Sequence, residues 1–162
     1  MTALEPTPTD PAHIAPRRDG NGVDLHYLEH ALAALGPAMA ASRAATVRGH
    51  DEDVRSLARQ ALSLQTSQLA AISAGLLRWD RPEAAARAPG PNDAERWTGL
   101  HGAALDRAFQ VQLTTHAHAS ISAARTEMVG GASPHARAIA EDSIRAQCQQ
   151  LAALHVLSPV VA

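Results

Sequence analysis

The sequence predicts an all-α four-helix bundle built from two tandem helical-hairpin repeats, on three observations. Residues 24–72 align with residues 106–154 without a gap, at a constant offset of 82 positions. The matches include Asp24 with Asp106, Tyr27 with Phe109, Arg43 with Arg125, Arg55 with Arg137 and Gln65 with Gln147. The stretch Gln68-Leu69-Ala70-Ala71 returns as Gln150-Leu151-Ala152-Ala153. Alanine-rich helices match by chance, but paired Asp, Arg and Gln at one offset do not, so a two-helix unit is duplicated. Second, apolar residues recur at helical spacing within each unit. Third, the composition is 46% hydrophobic but only 2% aromatic, so the core is assembled from Ala, Leu, Ile and Val, whose small side chains allow close helix approach.

In chain order, residues 1–22 carry Pro6, Pro8, Pro11 and Pro16 and end in Asp19-Gly20-Asn21-Gly22, a disordered N-terminal lead. A single bundle is expected over 23–156, with repeat one at 24–78, a linker at 79–91, repeat two at 92–156 and a tail at 157–162. The first helix runs from Asp24 to about Thr46, with Tyr27, Leu28, Ala31, Leu35, Ala38 and Met39 on its apolar face. Pro37 removes a backbone donor within it, so a kink is expected. After Arg48-Gly49-His50 a second helix starts with Asp51 as N-cap and runs to about Arg78, with Val54, Leu57, Ala58, Ala61, Leu64 or Gln65, Gln68 and Ile72 inward. An inward Gln is expected to hydrogen-bond a neighbour.

Pro82, Pro89, Gly90 and Pro91 mark the linker. Asn92 is the expected cap of a third helix, paired with Glu95, that runs from Asp93 without a break to about Val129 and leaves Trp97 exposed. Ser133-Pro134 starts the fourth, which reaches about His155 with Ala136, Ile139 or Ala140, Ile144, Gln147, Leu151 and Leu154 inward. Cys148 is expected on that inward face as a buried thiol, and a lone cysteine excludes an internal disulfide.

All 14 basic residues are arginine and the net charge is −2. Without a basic stripe nucleic acid is not an expected partner. No apolar run is long enough for a membrane span. As written the chain has no signal peptide, so the expected location is cytoplasmic, with a trimmed exported form as the alternative. No Glu-x-x-His, glycine-rich phosphate loop, serine elbow or Cys-His pairing occurs, and the chain is expected not to be an enzyme.

The half-pattern of Asp, an aromatic, a histidine-bearing stretch, a short loop, then Arg-x-x-Ala and Gln-x-x-[Glu/Gln]-Leu resembles the domain-of-unknown-function family numbered three hundred and five. Leu76-Leu77-Arg78-Trp79 and Gly102-Ala103-Ala104-Leu105-Asp106-Arg107-Ala108-Phe109 match its usual junctions. The resemblance covers about Val23 to Leu154 and implies a ferritin-like, copper-associated bundle, usually exported. It also implies a His-His pair on the first helix of each repeat, with methionines a turn away and on the partner helix. Those pairs fall on Ala34-Leu35 and His116-Ala117, and the methionine positions on Ala31, Leu113, Ile72 and Leu154. Only His116 keeps a ligand, so the site implied is a reduced one.

Copper favours imidazole and thioether donors. His26 and His30 stand at i, i+4 on the first helix, and His116 lies on the apolar face with Phe109 and Leu113. A metal site shared by His116, His30 and His26, assisted by Met39 or Met128, is one reading. A neutral core histidine hydrogen-bonded to Gln65 or Gln147 is the other. His118 lies about 200° round the helix from His116 and cannot join it on one ion. Two functions follow: non-enzymatic metal binding or handling with copper as the cargo, or a non-metal structural or partner-binding bundle, including a homodimer. Small-molecule binding between the helices is a third, with no ligand favoured by the sequence.

Overall fold

The structure is a computed structural model that describes residues 19–86 and 92–157. Most of the expected lead (1–18), the end of the linker (87–91) and the last five residues lie outside the described part. Six helices occur among the described residues: α1 Gly22–Arg48, α2 Glu52–Arg78, α3 Pro82–Ala85, α4 Asn92–Glu95, α5 Gly102–Gly130 and α6 Pro134–Leu157. The four long ones form the bundle. α1 pairs with α2 and α5 with α6 as hairpins, and the hairpins join through α1 on α5 and α2 on α6. The duplication is geometric: α1 and α5 end at Arg48 and Gly130, and α2 and α6 begin at Glu52 and Pro134, both at the sequence offset.

Local chemistry sets the helix starts. Asn21 caps α1 by accepting from the amides of Val23 and Asp24, while Asp24 accepts from the Asn21 amide, a reciprocal capping box. Asp51 caps α2 through the amides of Asp53 and Val54. Ser133 Oγ accepts from the Ala136 amide ahead of α6, with Pro134 in the first helical position. Helix α1 thus begins at Gly22, slightly before the expected Asp24. α1 continues helically through Pro37 to Arg48.

The third helix departs from expectation. It starts at Gly102, and the stretch expected to be its extension is the separate turn α4 followed by a loop. Two causes act together. Gly102 takes φ +57°, a left-handed conformation that interrupts a helix and favours glycine. The Arg48 guanidinium donates to the carbonyls of Trp97, Thr98 and Leu100, acceptors that a continuous helix would use internally. Trp97, expected to be exposed, is folded inward at 3% exposure and packs with Leu105 and Phe109.

The core has two apolar clusters, each drawing on both repeats. One gathers Val54, Leu57, Leu105, Phe109, Leu113 and Leu154, the other Tyr27, Leu28, Met39, Ile72, Ala124 and Ala140. Gln65 and Gln147, equivalent in the two repeats, are fully buried as expected, yet their amides make no hydrogen bond. Cys148 is exposed, against expectation. The buried residues on α6 are Ala136, Ala140, Gln147, Gln150 and Leu154, and Cys148 stands about 100° round the helix from Gln147 and about 200° from Gln150.

Among the described residues no helix is long and apolar enough to cross a membrane.

Candidate functional site

His116 lies on the inner face of α5 where α5 crosses α1. It is 6% exposed, and one ring N–H donates to the backbone carbonyl of Ala34. Ala34 is the residue equivalent to His116 in the first repeat, so the imidazole reaches across the bundle to its own counterpart position. Its Nε2 lies 3.5 Å from Ser120 Oγ, one turn on. Burial pushes the imidazole down to about 4, offset in part by the Ala34 hydrogen bond. At neutral pH the ring is therefore uncharged, with one nitrogen anchored and the other carrying a lone pair. Its partners are a backbone carbonyl and a serine; the glutamines proposed from the sequence do not serve.

Beside it is a cavity of about 190 Å³ between α1, α2, α5 and α6. Ala31, Ala34, Leu35, Ile72 and Ala123 form apolar parts of its wall, with His116, His30, Gln68 and Ser120 as polar members. His30 is exposed on α1 and is the second histidine of this cavity. His30 also lines a neighbouring groove of about 360 Å³ with His26, Tyr27, Thr126 and Glu127. The rings of His26 and His30 stand 6.2 Å apart, tilted by 35°. The sequence-derived trio is thus divided: His116 and His30 share the cavity, while His26 and His30 share the groove. His118 faces a third depression with Val23, Ile121 and Arg125, away from His116 as its helical position requires. Neither Met39 nor Met128 lines the cavity; Met39 is buried in the core beside it and Met128 packs against that core. Among the described residues no three His, Cys, Asp or Glu side chains gather as a metal-binding group.

Sequence reasoning missed the acidic pair behind the groove. Glu127 is fully buried and its carboxyl engages Asp24. Neither of its oxygens accepts a hydrogen bond from an N–H or hydroxyl, so the carboxyl set against Asp24 favours its protonated form. Burial, the hydrogen bond to Asp24 and the Asp24 charge push Glu127 up to about 7, against a partial offset from Arg137. Burial also pushes Asp24 up, but hydrogen bonds from the Asn21 amide, Glu127 and the Ser133 and Ala132 amides outweigh it and hold Asp24 below its ordinary value. Tyr27 beside them is pushed up to about 12 by burial, with its hydroxyl on Ser143 and the Glu127 charge nearby. The available signal was a break in the repeat: Glu127 stands where the first repeat has Ala45.

Fold and site together define a duplicated all-α bundle with a histidine-bearing cavity at the junction of its repeats. The sequence matches the profile of the Domain of unknown function (DUF305) family over residues 24–157, and the chain belongs to that family. A crystal structure of a DUF305 fragment from Deinococcus radiodurans is similar in fold, with a TM-score of 0.68 at 19% identity, covering 85% of this chain and 96% of that one. A comparison with curated proteins finds no match.

Proposed function

We propose that this chain is a non-enzymatic metal-handling bundle whose reduced site takes monovalent copper as cargo at the cavity shared by His116 and His30. The observation that carries the reading is the state of His116: buried, neutral, and fixed through one nitrogen by the Ala34 carbonyl. An imidazole oriented in this way through its second nitrogen is how ligating histidines are commonly held. The donor set suits an ion of low coordination number. It does not suit a closed site for a divalent ion, which needs three or four ligands, because no such group forms among the described residues. His26 flanks His30 outside the cavity and assists capture at the surface.

The test is an anaerobic competition titration of the metal-free protein with Cu(I) against a chromophoric chelator. One equivalent is expected for the wild type, lost in His116→Ala and weakened in His30→Ala, with His26→Ala close to wild type. Equal, weak binding by all four proteins would overturn the reading and favour the non-metal, partner-binding alternative.

A further inference from the structure

We infer that the cavity beside His116 is also a binding site for a small, neutral, ring-sized organic molecule carrying one hydroxyl or N–H donor, with the chemistry of a phenol. The inference concerns the metal-free protein and does not rest on the copper reading.

Size comes first. The cavity measures about 190 Å³, and an apolar protein cavity of about 150 Å³ suffices for benzene. Half of its lining residues are alanine or aliphatic, and Ser67, Asp142 and Ser143 join the polar members named above. The repeat shows how the space arises: Ala31 on the wall corresponds to Leu113 in the second repeat, where the larger side chain is buried in the core. A leucine-sized volume is missing on the side where the cavity lies.

The polar groups then select the ligand. His116 has committed its N–H to Ala34, so its remaining nitrogen is an acceptor, in only a long 3.5 Å contact with Ser120. Gln68 lines the same cavity, and its buried Oε1 accepts no hydrogen bond. Two acceptors set in an apolar wall favour a molecule that brings a donor, since a buried acceptor left unmet costs free energy. The same arrangement disfavours a carboxylate or phosphate, which would lose its hydration and meet acceptors.

The test uses chelator-washed full-length protein and phenol as the probe, followed by amide chemical shifts. Saturable shifts confined to residues around 31, 71 and 123 are expected, with benzene binding more weakly and benzoate not at all. His116→Leu should weaken phenol by up to about tenfold, the worth of one hydrogen bond, and bring it level with benzene. Ala31→Leu, which installs the side chain the second repeat already carries, should abolish binding of both. Phenol binding is read on the metal-free protein and copper binding without phenol, so the two proposals fail separately. Absence of saturable shifts with phenol, or equal binding of benzoate, would overturn this one.

Discussion

Asp24 and Asp106 each hold the hairpin loop of the other repeat. Asp106 accepts from the amides of His50 and Asp51, both at 2.9 Å. Asp24 accepts from those of Ser133 at 2.8 Å and Ala132 at 3.2 Å. The four amides occupy equivalent positions at the repeat offset, so the duplication is cross-braced by its own conserved spacing. The bracing explains why an aspartate opens each repeat: its short carboxylate offers a separate oxygen to each of two successive amides.

Replacing either aspartate by alanine should therefore destabilise the bundle through the opposite repeat. Asp106→Ala would take the acceptor from two amides and Asp24→Ala from three, that of Asn21 included, and at least about 2–4 kcal/mol is expected. Hydrogen exchange gives the sharper readout. Asp106→Ala should speed exchange at His50 and Asp51, and Asp24→Ala at Ala132 and Ser133. Acceleration confined to the mutated helix would disprove the cross-bracing.

Stability should be nearly flat between about pH 4.5 and 6.5, because Glu127 and His116 act in opposite senses. Glu127 titrates near 7 in the fold against an ordinary 4.5, so the folded chain holds a proton that the unfolded chain has released. Its contribution is full below 4.5 and is lost as pH rises towards 7. His116 titrates near 4 against an ordinary 6.5, so the unfolded chain takes up a proton that the fold excludes. Its contribution is present above 6.5 and is lost as pH falls towards 4. Each slope approaches about 1.4 kcal/mol per pH unit. Denaturation of Glu127→Gln across the range should uncover stability that rises with pH, and His116→Phe stability that falls. Two flat variants would refute the opposition.

Gly131 should resist substitution while its neighbour accepts it. A Cβ at Gly131 would lie 2.0 Å from Glu127 Oε1 and 2.7 Å from the Glu127 carbonyl, whereas one at Gly130 first meets Val23 at 3.5 Å. Gly131→Ala is expected to destabilise by more than about 2 kcal/mol, as overpacking does. Gly130→Ala should change stability by under about 1 kcal/mol, in the stabilising direction, because it restricts the unfolded chain. Thermal melts of the two variants decide this, and similar losses in both would count against the contact.

Arg48→Ala should release the loop between α4 and α5. The guanidinium holds the carbonyls of Trp97, Thr98 and Leu100, at 2.7 Å for Trp97. Their loss is expected to cost about 1–3 kcal/mol and to expose Trp97. In a Trp79→Phe background, the remaining Trp97 emission should shift to the red. An unchanged spectrum would show that the apolar packing of Trp97 suffices without Arg48.

The sequence by itself determined the helices and their duplication. Periodicity, the Asp51 and Ser133 caps and the offset of 82 are local or self-referential signals, and they placed α1, α2 and α6 within a few residues and put His116 and Gln147 inside. Tertiary structure decided what long-range partners impose. Arg48 captures carbonyls some fifty positions away and, with Gly102, breaks the expected third helix. Trp97 is buried by Leu105 and Phe109, which belong to another helix. His116 donates its hydrogen bond to a backbone carbonyl, a partner that carries no side-chain signature. Glu127 is set against Asp24, 103 positions away, and is pushed up by it. Such features depend on which surfaces meet and how far water is excluded between them, and helical spacing along one chain encodes neither.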